Sequence, residues 1–124
     1  MKDKLEKLLE NSYAPYSGYK FACIVETKSG SFYNGVNIEN ASFGATICAE
    51  RNAINNAISN GDKDIVNVYL MTNKDEILYP CNLCKQTFLE FLNKDVIFNI
   101  MTITGKMEIL SLEELLSKNF TKEN

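Results

Sequence analysis

The first half of the chain changes from helical to alternating hydrophobic spacing and back. Apolar residues at 5, 8, 9 and 13 lie among charged residues, a spacing typical of one helix face, and predict a helix within residues 1–13. Residues 19–27 and 31–38 are rich in β-branched and aromatic types and flank a short turn with glycine, so they predict a β-hairpin. Helical spacing returns from Thr46, a residue type favoured at helix N-caps, and stops at Gly61.

The second half of the chain alternates strand-like and helix-like segments, which favours an α/β sheet. Pro80 suits the first turn of a helix, and Ser111 with Glu114 forms a capping-box pattern. Residues 104–106 are too short for a parallel crossover, so the last strand should return antiparallel. The predicted elements are strands at 65–71, 95–103 and 106–110 and helices at 80–92 and 111–118.

Composition and charge narrow the class of protein. The 124 residues are 45% hydrophobic and 23% charged, as in an ordinary globular protein, and their number fits one domain spanning 1–124. No apolar run is long enough to cross a membrane, and the start lacks the apolar core of a secretory signal, so we expect a cytoplasmic protein. The net charge of -3 would repel a phosphate backbone, which argues against nucleic acid as a partner.

The chain contains four cysteines and no histidine. In a reducing compartment, clustered cysteines more often bind metal or do chemistry than form disulfides. Any transition-metal site must therefore be rich in thiolates. Cys23, inside a hydrophobic strand, is better explained as a small core residue.

The other three cysteines have a spacing that suits a metal site. Cys81 and Cys84 are three apart at a predicted helix start, so their sulfurs project to one side. If the helix start near Cys48 meets them, three thiolates converge with a fourth position open, as in catalytic zinc sites. Glu50 would then lie beside the open position, where a carboxylate can take a proton from water.

C-x-x-C alone is a weaker indication of function than C-x-x-C combined with the segment around Cys48. A single C-x-x-C could equally be a redox pair or half of a structural zinc site. The combination C-A-E at 48–50 and P-C-x-x-C at 80–84 is much more specific, because zinc-dependent base deaminases share it.

With YAPYS, GVNIENASFG and EELLSKNF added, the chain from Tyr13 to Phe120 resembles the small, three-cysteine cytidine deaminases. The resemblance implies a three-layer fold, a mixed five-stranded sheet with helices on its faces. It implies one Zn²⁺ per subunit and a homotetramer with active sites shared between subunits. The implied reaction is hydrolytic deamination of cytidine and deoxycytidine to uridine and deoxyuridine plus ammonia, in pyrimidine salvage.

The resemblance also assigns the metal site. Cys48, Cys81 and Cys84 match the zinc ligands, and Glu50 matches the proton shuttle. Arg51 matches a residue whose guanidinium bonds ligand sulfurs and withdraws charge from them.

The resemblance assigns six residues to the substrate. Two hold the ribose hydroxyls, one lines the base pocket, two lie on a loop that reaches a neighbouring subunit's site, and one closes over the base from another subunit. In that order they are Asn37 and Glu39, Tyr19, Ala41 and Phe43, and Phe120.

The chain departs from the family pattern at five positions, two near the nucleoside and three near the metal site. Tyr19 stands where Phe is usual and Phe43 where Tyr is usual, so a hydroxyl near the nucleoside is gained at one position and lost at the other. Asn82-Leu83 replaces Gly-Ala inside P-C-x-x-C, and Lys85 replaces an arginine. These changes bear on sugar affinity and on packing and charge near the metal.

Two alternatives remain at this stage. One is a deaminase of another base-bearing substrate, such as a nucleoside antibiotic or a polynucleotide; the acidic charge opposes the polynucleotide, and Asn37 with Glu39 favours a free nucleoside. The other is a noncatalytic, zinc-stabilised nucleoside-binding module. Glu50 opposes it, because a structural zinc needs no such carboxylate.

Overall fold

The computed structural model describes residues 1–118, so Phe120 lies outside the described residues. A five-stranded sheet forms its centre. The elements are α1 (Lys2–Leu9), β1 (Phe21–Thr27), β2 (Phe32–Val36), a 3₁₀ turn (Phe43–Ala45), α2 (Ala49–Ser59), β3 (Ile65–Thr72), α3 (Asn82–Phe91), β4 (Ile97–Thr102), β5 (Met107–Ser111) and α4 (Leu112–Leu115).

The sheet is mixed, with strand order β2-β1-β3-β4-β5. β1 pairs antiparallel with both β2 and β3, whereas β3 and β4 are parallel and are connected through α3. β4 and β5 pair antiparallel, which confirms the orientation predicted from the short turn between them. The mixed five-stranded sheet predicted from the resemblance is therefore confirmed.

Both faces of the sheet are covered, because side chains alternate between them along each strand. In β1, Ala22 and Ile24 face the small core beneath α1, while Cys23 and Val25 face the larger core beneath α2, α3 and α4. The arrangement is the three-layer one that was predicted. Cys23 is fully buried, as expected for a core residue, and burial raises the pKa of its thiol.

The predicted start of α2 at Thr46 is wrong. Ile47 exchanges two backbone hydrogen bonds with Ile38, and this pairing keeps the chain extended. Thr46 Oγ1 accepts a hydrogen bond from the Asn40 backbone at 3.0 Å, so it is used by the preceding loop. The N-cap is Cys48, with extended backbone angles of φ -74° and ψ 155°.

The start of α3 also lies later than predicted. Pro80 precedes the helix, and the N-cap is Cys81. Cys48 and Cys81 therefore occupy equivalent positions at two helix N-termini. The capping box of Ser111 and Glu114 at the start of α4 is confirmed.

Gly35 in β2 allows α2 to pack directly against the sheet. A Cβ atom at this position would lie 2.3 Å from the Ala53 nitrogen and 2.5 Å from the Ala49 oxygen. Both atoms belong to the helix backbone and cannot rotate away. The absence of a side chain at Gly35 therefore allows the first turns of α2 to lie directly against β2.

None of the helices within residues 1–118 is long and apolar enough to cross a bilayer.

Candidate metal centre and substrate pocket

Three cysteine sulfurs meet where the starts of α2 and α3 converge. Cys48 Sγ lies 3.6 Å from Cys81 Sγ, and Cys81 Sγ lies 3.5 Å from Cys84 Sγ. All three sulfurs lie within 4.8 Å of one another. Tetrahedral zinc with ordinary Zn–S bonds separates its sulfurs by roughly 3.8 Å. The donor set and its spacing fit one zinc ion.

The three thiols perturb one another strongly. Hydrogen bonds from Cys48 and Cys84 lower the pKa of the Cys81 thiol. The contact with Cys81 raises the pKa of the Cys48 thiol. The contact with Cys48 raises the pKa of the Cys84 thiol. The thiols thus share protons through short sulfur–sulfur contacts, and a divalent cation can replace those protons.

Glu50 lies in the first turn of α2, next to the thiols. It is 4% exposed and lines the cavity described below. Burial raises the pKa of its carboxyl to about 7, and the nearby charge of Cys81 also raises it. A carboxyl group with a pKa near neutrality can both accept and release a proton at physiological pH.

Arg51 places a cation beside the cysteine cluster. Its Nη2 donates to the Thr46 carbonyl at 3.2 Å, and its buried Nε has no hydrogen-bond partner among residues 1–118. Burial opposes the charge on Arg51, but the contact with Cys48 and the charges of the other thiols raise its pKa. The guanidinium therefore offsets negative charge at the cluster, and Nε remains available as a donor.

The side chain of Asn37 uses most of its hydrogen-bonding capacity within the pocket wall. Its Oδ1 accepts from the Phe21 backbone at 2.9 Å and from the Ser12 hydroxyl, and its Nδ2 donates to the Tyr19 carbonyl at 2.7 Å. These bonds leave one N–H on Nδ2. Asn37 can therefore act toward a ligand in the cavity as a donor.

Glu39 is fixed by the turn before β1. Its carboxylate accepts from the backbone nitrogens of Tyr16 and Ser17 at 3.0 and 3.1 Å and from the Ser17 hydroxyl. Burial works to raise the pKa of Glu39, but these hydrogen bonds hold it below its ordinary value. Glu39 is therefore an ionised acceptor with a defined orientation.

These groups surround a cavity of about 420 Å³, a size typical of small-molecule sites. Ser17, Asn37 and Glu39 contribute polar groups to its wall, and Cys48, Cys81 and Glu50 form the part beside the metal site. The lining residues are Ser17, Tyr19, Phe21, Asn37, Glu39, Phe43, Thr46, Ile47, Cys48, Glu50, Leu70, Tyr79 and Cys81.

Phe43 and Ala41, the two loop residues expected to reach a neighbouring subunit, differ in their relation to the cavity. Phe43 lines the cavity of its own chain and is 90% exposed. Ala41 is exposed and is not among the lining residues. Tyr19 does line the cavity, with Lys74 Nζ 4.8 Å from its ring centroid.

The departures near the metal have little steric effect. Asn82 and Leu83 are exposed, so their extra bulk projects into solvent and not toward the sulfurs. Lys85 Nζ donates to the carbonyl of Lys118, and burial lowers its pKa.

Sequence reasoning missed part of the pocket wall. Phe21 and Leu70 read only as strand residues, and the side chain of Tyr79 had no assigned role. The position of Tyr79 immediately before P-C-x-x-C was the one signal that could have revealed it.

A mixed α/β sheet with a three-thiol zinc site, a buried carboxylate and a ligand-sized cavity defines a class of zinc-dependent hydrolase. The family model for the cytidine and deoxycytidylate deaminase zinc-binding region matches residues 1–100, and the chain belongs to that family.

Individual relatives agree with this assignment. The chain is 34% identical to a cytidine deaminase of Mycoplasma genitalium over 96% of this chain and 92% of that protein. It is 35% identical to a cytidine deaminase of Halalkalibacterium halodurans over 93% and 87%. The crystal structure of cytidine deaminase from Burkholderia pseudomallei superimposes with a TM-score of 0.86 and 28% identity, covering 95% of this chain and 94% of that one.

Proposed function

We propose that the protein is a zinc-dependent cytidine deaminase, which hydrolyses cytidine and deoxycytidine to uridine and deoxyuridine with release of ammonia. The observation that carries this proposal is the buried Glu50 carboxyl beside a cluster of three thiols, at a nucleoside-sized cavity that Glu50, Cys48 and Cys81 line. The named relatives above support the substrate. Residues 1–124 would form one such domain, and its reaction would serve pyrimidine salvage.

Cys48, Cys81 and Cys84 would hold the zinc. When bound, zinc supplies a Lewis acid that makes water more acidic. Three thiolates and Zn²⁺ sum to a charge of -1, which weakens this effect. Arg51 counteracts it by donating to the ligand cluster and drawing charge away from the sulfurs.

Glu50 moves the protons. Its carboxylate accepts a proton from the attacking water and delivers it to N3 of the base, and it then helps to protonate the leaving amino group. Burial supports this role, because a pKa near 7 lets one group act as base and as acid within a cycle. The backbone carbonyl of Tyr79, in the cavity wall, would accept a hydrogen bond from the departing amine.

Asn37 and Glu39 would bind the sugar. Asn37 has one N–H to donate, and Glu39 is an ionised acceptor, so the pair can engage hydroxyl groups from both directions. Tyr19 would contact the base through its ring.

We also propose a homotetramer in which Ala41, Phe43 and Phe120 contribute to neighbouring sites. Support comes from the exposed position of Phe43 and from further exposed apolar side chains such as Leu83 at 65% and Ile109 at 61%. A reducing cytoplasm would keep the three ligand thiols available for zinc. Size-exclusion chromatography with light scattering tests the assembly, and a monomeric active enzyme would refute it.

One experiment tests the function. Purified protein is measured for zinc per subunit and, on the same sample, for the absorbance decrease as cytidine is converted to uridine. We expect about one zinc per subunit and turnover of both nucleosides, with weaker turnover of free cytosine and of an oligonucleotide. Zinc-replete protein that binds cytidine without turnover would instead identify a binding module.

A further inference from the structure

The side chain of Tyr79 has no role in the proposed metal site or in the proposed sugar contacts. It lies between β3 and α3, two residues before Cys81, and lines the cavity. Its hydroxyl donates to Glu108 Oε1 on β5, and Lys118 Nζ lies 5.7 Å from its ring centroid. The ring is therefore held at its outer end.

The sheet register shows where this ring lies. Leu70 of β3 pairs with Ile100 of β4, and Ile100 pairs with Glu108 of β5, so the three residues form one row on one face. Leu70 lines the cavity, and Glu108 stands two strands away, roughly 10 Å at ordinary strand spacing. Tyr79 lines the cavity and its hydroxyl donates to Glu108, so its side chain extends from the cavity wall toward the β5 end of this row.

Tyr79 and Glu50 border the cavity from opposite sides. α2, which carries Glu50, packs over β1 and β2, whereas Tyr79 reaches toward β5 at the other end of the sheet. Leu70 on the central strand β3 lies between them. A flat ring that turns one edge toward Glu50 would therefore have another edge on the side of the cavity that Tyr79 lines.

We infer that Tyr79 limits the room for substituents at C5 of the pyrimidine, and that Glu108 is the positioning residue that holds its ring. The inference rests on the proposed function, in which Glu50 addresses N3. N3 and C5 are the two ring atoms bonded to the reacting C4, so a base with N3 toward Glu50 would present C5 on the side of the cavity that Tyr79 lines. The chemical class that Tyr79 selects against is 5-substituted cytosine nucleosides.

The test compares cytidine with 5-methylcytidine in a series that shortens the side chain: Tyr79→Phe, Tyr79→Leu and Tyr79→Ala. The measured quantity is the ratio of kcat/KM for 5-methylcytidine to that for cytidine. A pocket that admits or excludes one methyl group changes such a ratio by about 10- to 200-fold. We expect the ratio to rise along the series and to rise at least about 10-fold in Tyr79→Ala.

The role of Glu108 is tested by two variants. Glu108→Gln keeps an oxygen that accepts from the Tyr79 hydroxyl, so the wild-type ratio should persist. Glu108→Ala releases the ring, so the ratio should rise as in Tyr79→Phe and by less than in Tyr79→Ala. Combining Tyr79→Phe with Glu108→Ala should add little to either change, because both remove the same hydrogen bond.

Tyr33 provides a matched control. It is also half-buried, and its hydroxyl donates to Asp62 Oδ2 at 3.0 Å, but it does not line the cavity. Tyr33→Ala should leave the substrate ratio at the wild-type value. An equal rise in Tyr33→Ala and Tyr79→Ala would overturn the inference, because the effect would then be general loosening.

The failures of the two proposals are distinguishable. Wild-type protein with zinc and no cytidine turnover overturns the proposed function. Wild-type turnover with an unchanged ratio in Tyr79→Ala overturns the inference about Tyr79 alone. If Tyr79→Ala is too unstable to assay, Tyr79→Leu, which keeps apolar bulk, decides by the same criterion.

Discussion

The sharpest test of how the fold positions the site is Gly35→Ala. The added Cβ would lie 2.3 Å from the Ala53 nitrogen and 2.5 Å from the Ala49 oxygen. Ordinary contacts of this kind are about 3.5 Å, so the overlap is about 1 Å. Because both atoms are backbone, α2 must move away from β2 by a similar distance.

Two effects of different size follow from this shift. Overpacking of a tight interface costs about 1–3 kcal/mol, which for a chain of this length lowers the melting temperature by roughly 4–12 °C. Ala49 lies between Cys48 and Glu50, so the same shift moves the proposed metal ligand and the proposed proton carrier. A misplacement of about 1 Å can cost about 10²-fold in rate.

The assay measures both effects on the same preparation. Thermal unfolding gives the melting temperature, and cytidine turnover at 25 °C gives kcat and KM. The thiolate-to-metal absorption of the cobalt-substituted protein reports whether Cys48, Cys81 and Cys84 still bind together. We expect a lower kcat at a temperature where the variant is fully folded.

Two controls separate position from bulk. Gly44→Ala adds the same methyl group in open space and should not lower the melting temperature. Asn34→Ala alters an exposed side chain on the same strand and should leave turnover unchanged. A Gly35→Ala protein with wild-type melting temperature and wild-type kcat would refute the argument that close packing on β2 sets the position of Glu50.

Three further predictions concern other parts of the chain. Glu50→Gln should keep zinc and fold but lose at least about 10²–10⁴-fold in kcat, the share that general acid–base catalysis supplies; near-wild-type turnover would show that the proton carrier is another group. Asp62→Ala should lower the melting temperature, because Asp62 Oδ2 accepts hydrogen bonds from Thr27, Ser29 and Tyr33. Those hydrogen bonds, that of Thr27 foremost, lower the pKa of Asp62, so its contribution is present at neutral pH and is lost as pH falls through its folded pKa. The difference in melting temperature between wild type and Asp62→Ala should accordingly shrink in acid, and a constant difference from pH 7 to pH 3 would contradict this. Ser111→Ala should cost about 1 kcal/mol in urea unfolding by removing the α4 cap, with Ser117→Ala as the comparison at the other end of that helix.

The metal centre was largely predictable because its signal is local. The three-residue spacing of Cys81 and Cys84 fixes their sulfurs on one side of any helix start, and this placement is confirmed. That Cys48 meets them required the resemblance, since 33 residues separate it from Cys81. Their roles as zinc ligands, and that of Glu50 as proton carrier, stay predictions until metal and turnover are measured.

The start of α2 was predicted too early for a tertiary reason. Thr46 has the right side chain for an N-cap, but pairing between Ile47 and Ile38 holds the backbone extended. Local propensity is weaker than such pairing, and the sequence around Thr46 does not show that Ile47 pairs with Ile38.

The pocket wall was the least predictable part. The contact between Tyr79 and Glu108 joins residues 29 apart through the strand order of the sheet. Hydrophobic spacing identifies strands but does not say which strands are neighbours. The same limit hid the extent to which Asn37 supports Phe21 and Tyr19.

A metal ion bound by both Cys48 and Cys81, the N-caps of α2 and α3, would also affect the stability of the fold. A metal bound to both closes a loop of 33 residues, as a disulfide would. By the chain-entropy relation for cross-links, such a closure is worth roughly 3–4 kcal/mol, a large part of the stability of an ordinary domain. In this fold a zinc ion held by both cysteines would also act as a removable cross-link, so that its loss would lower stability together with activity.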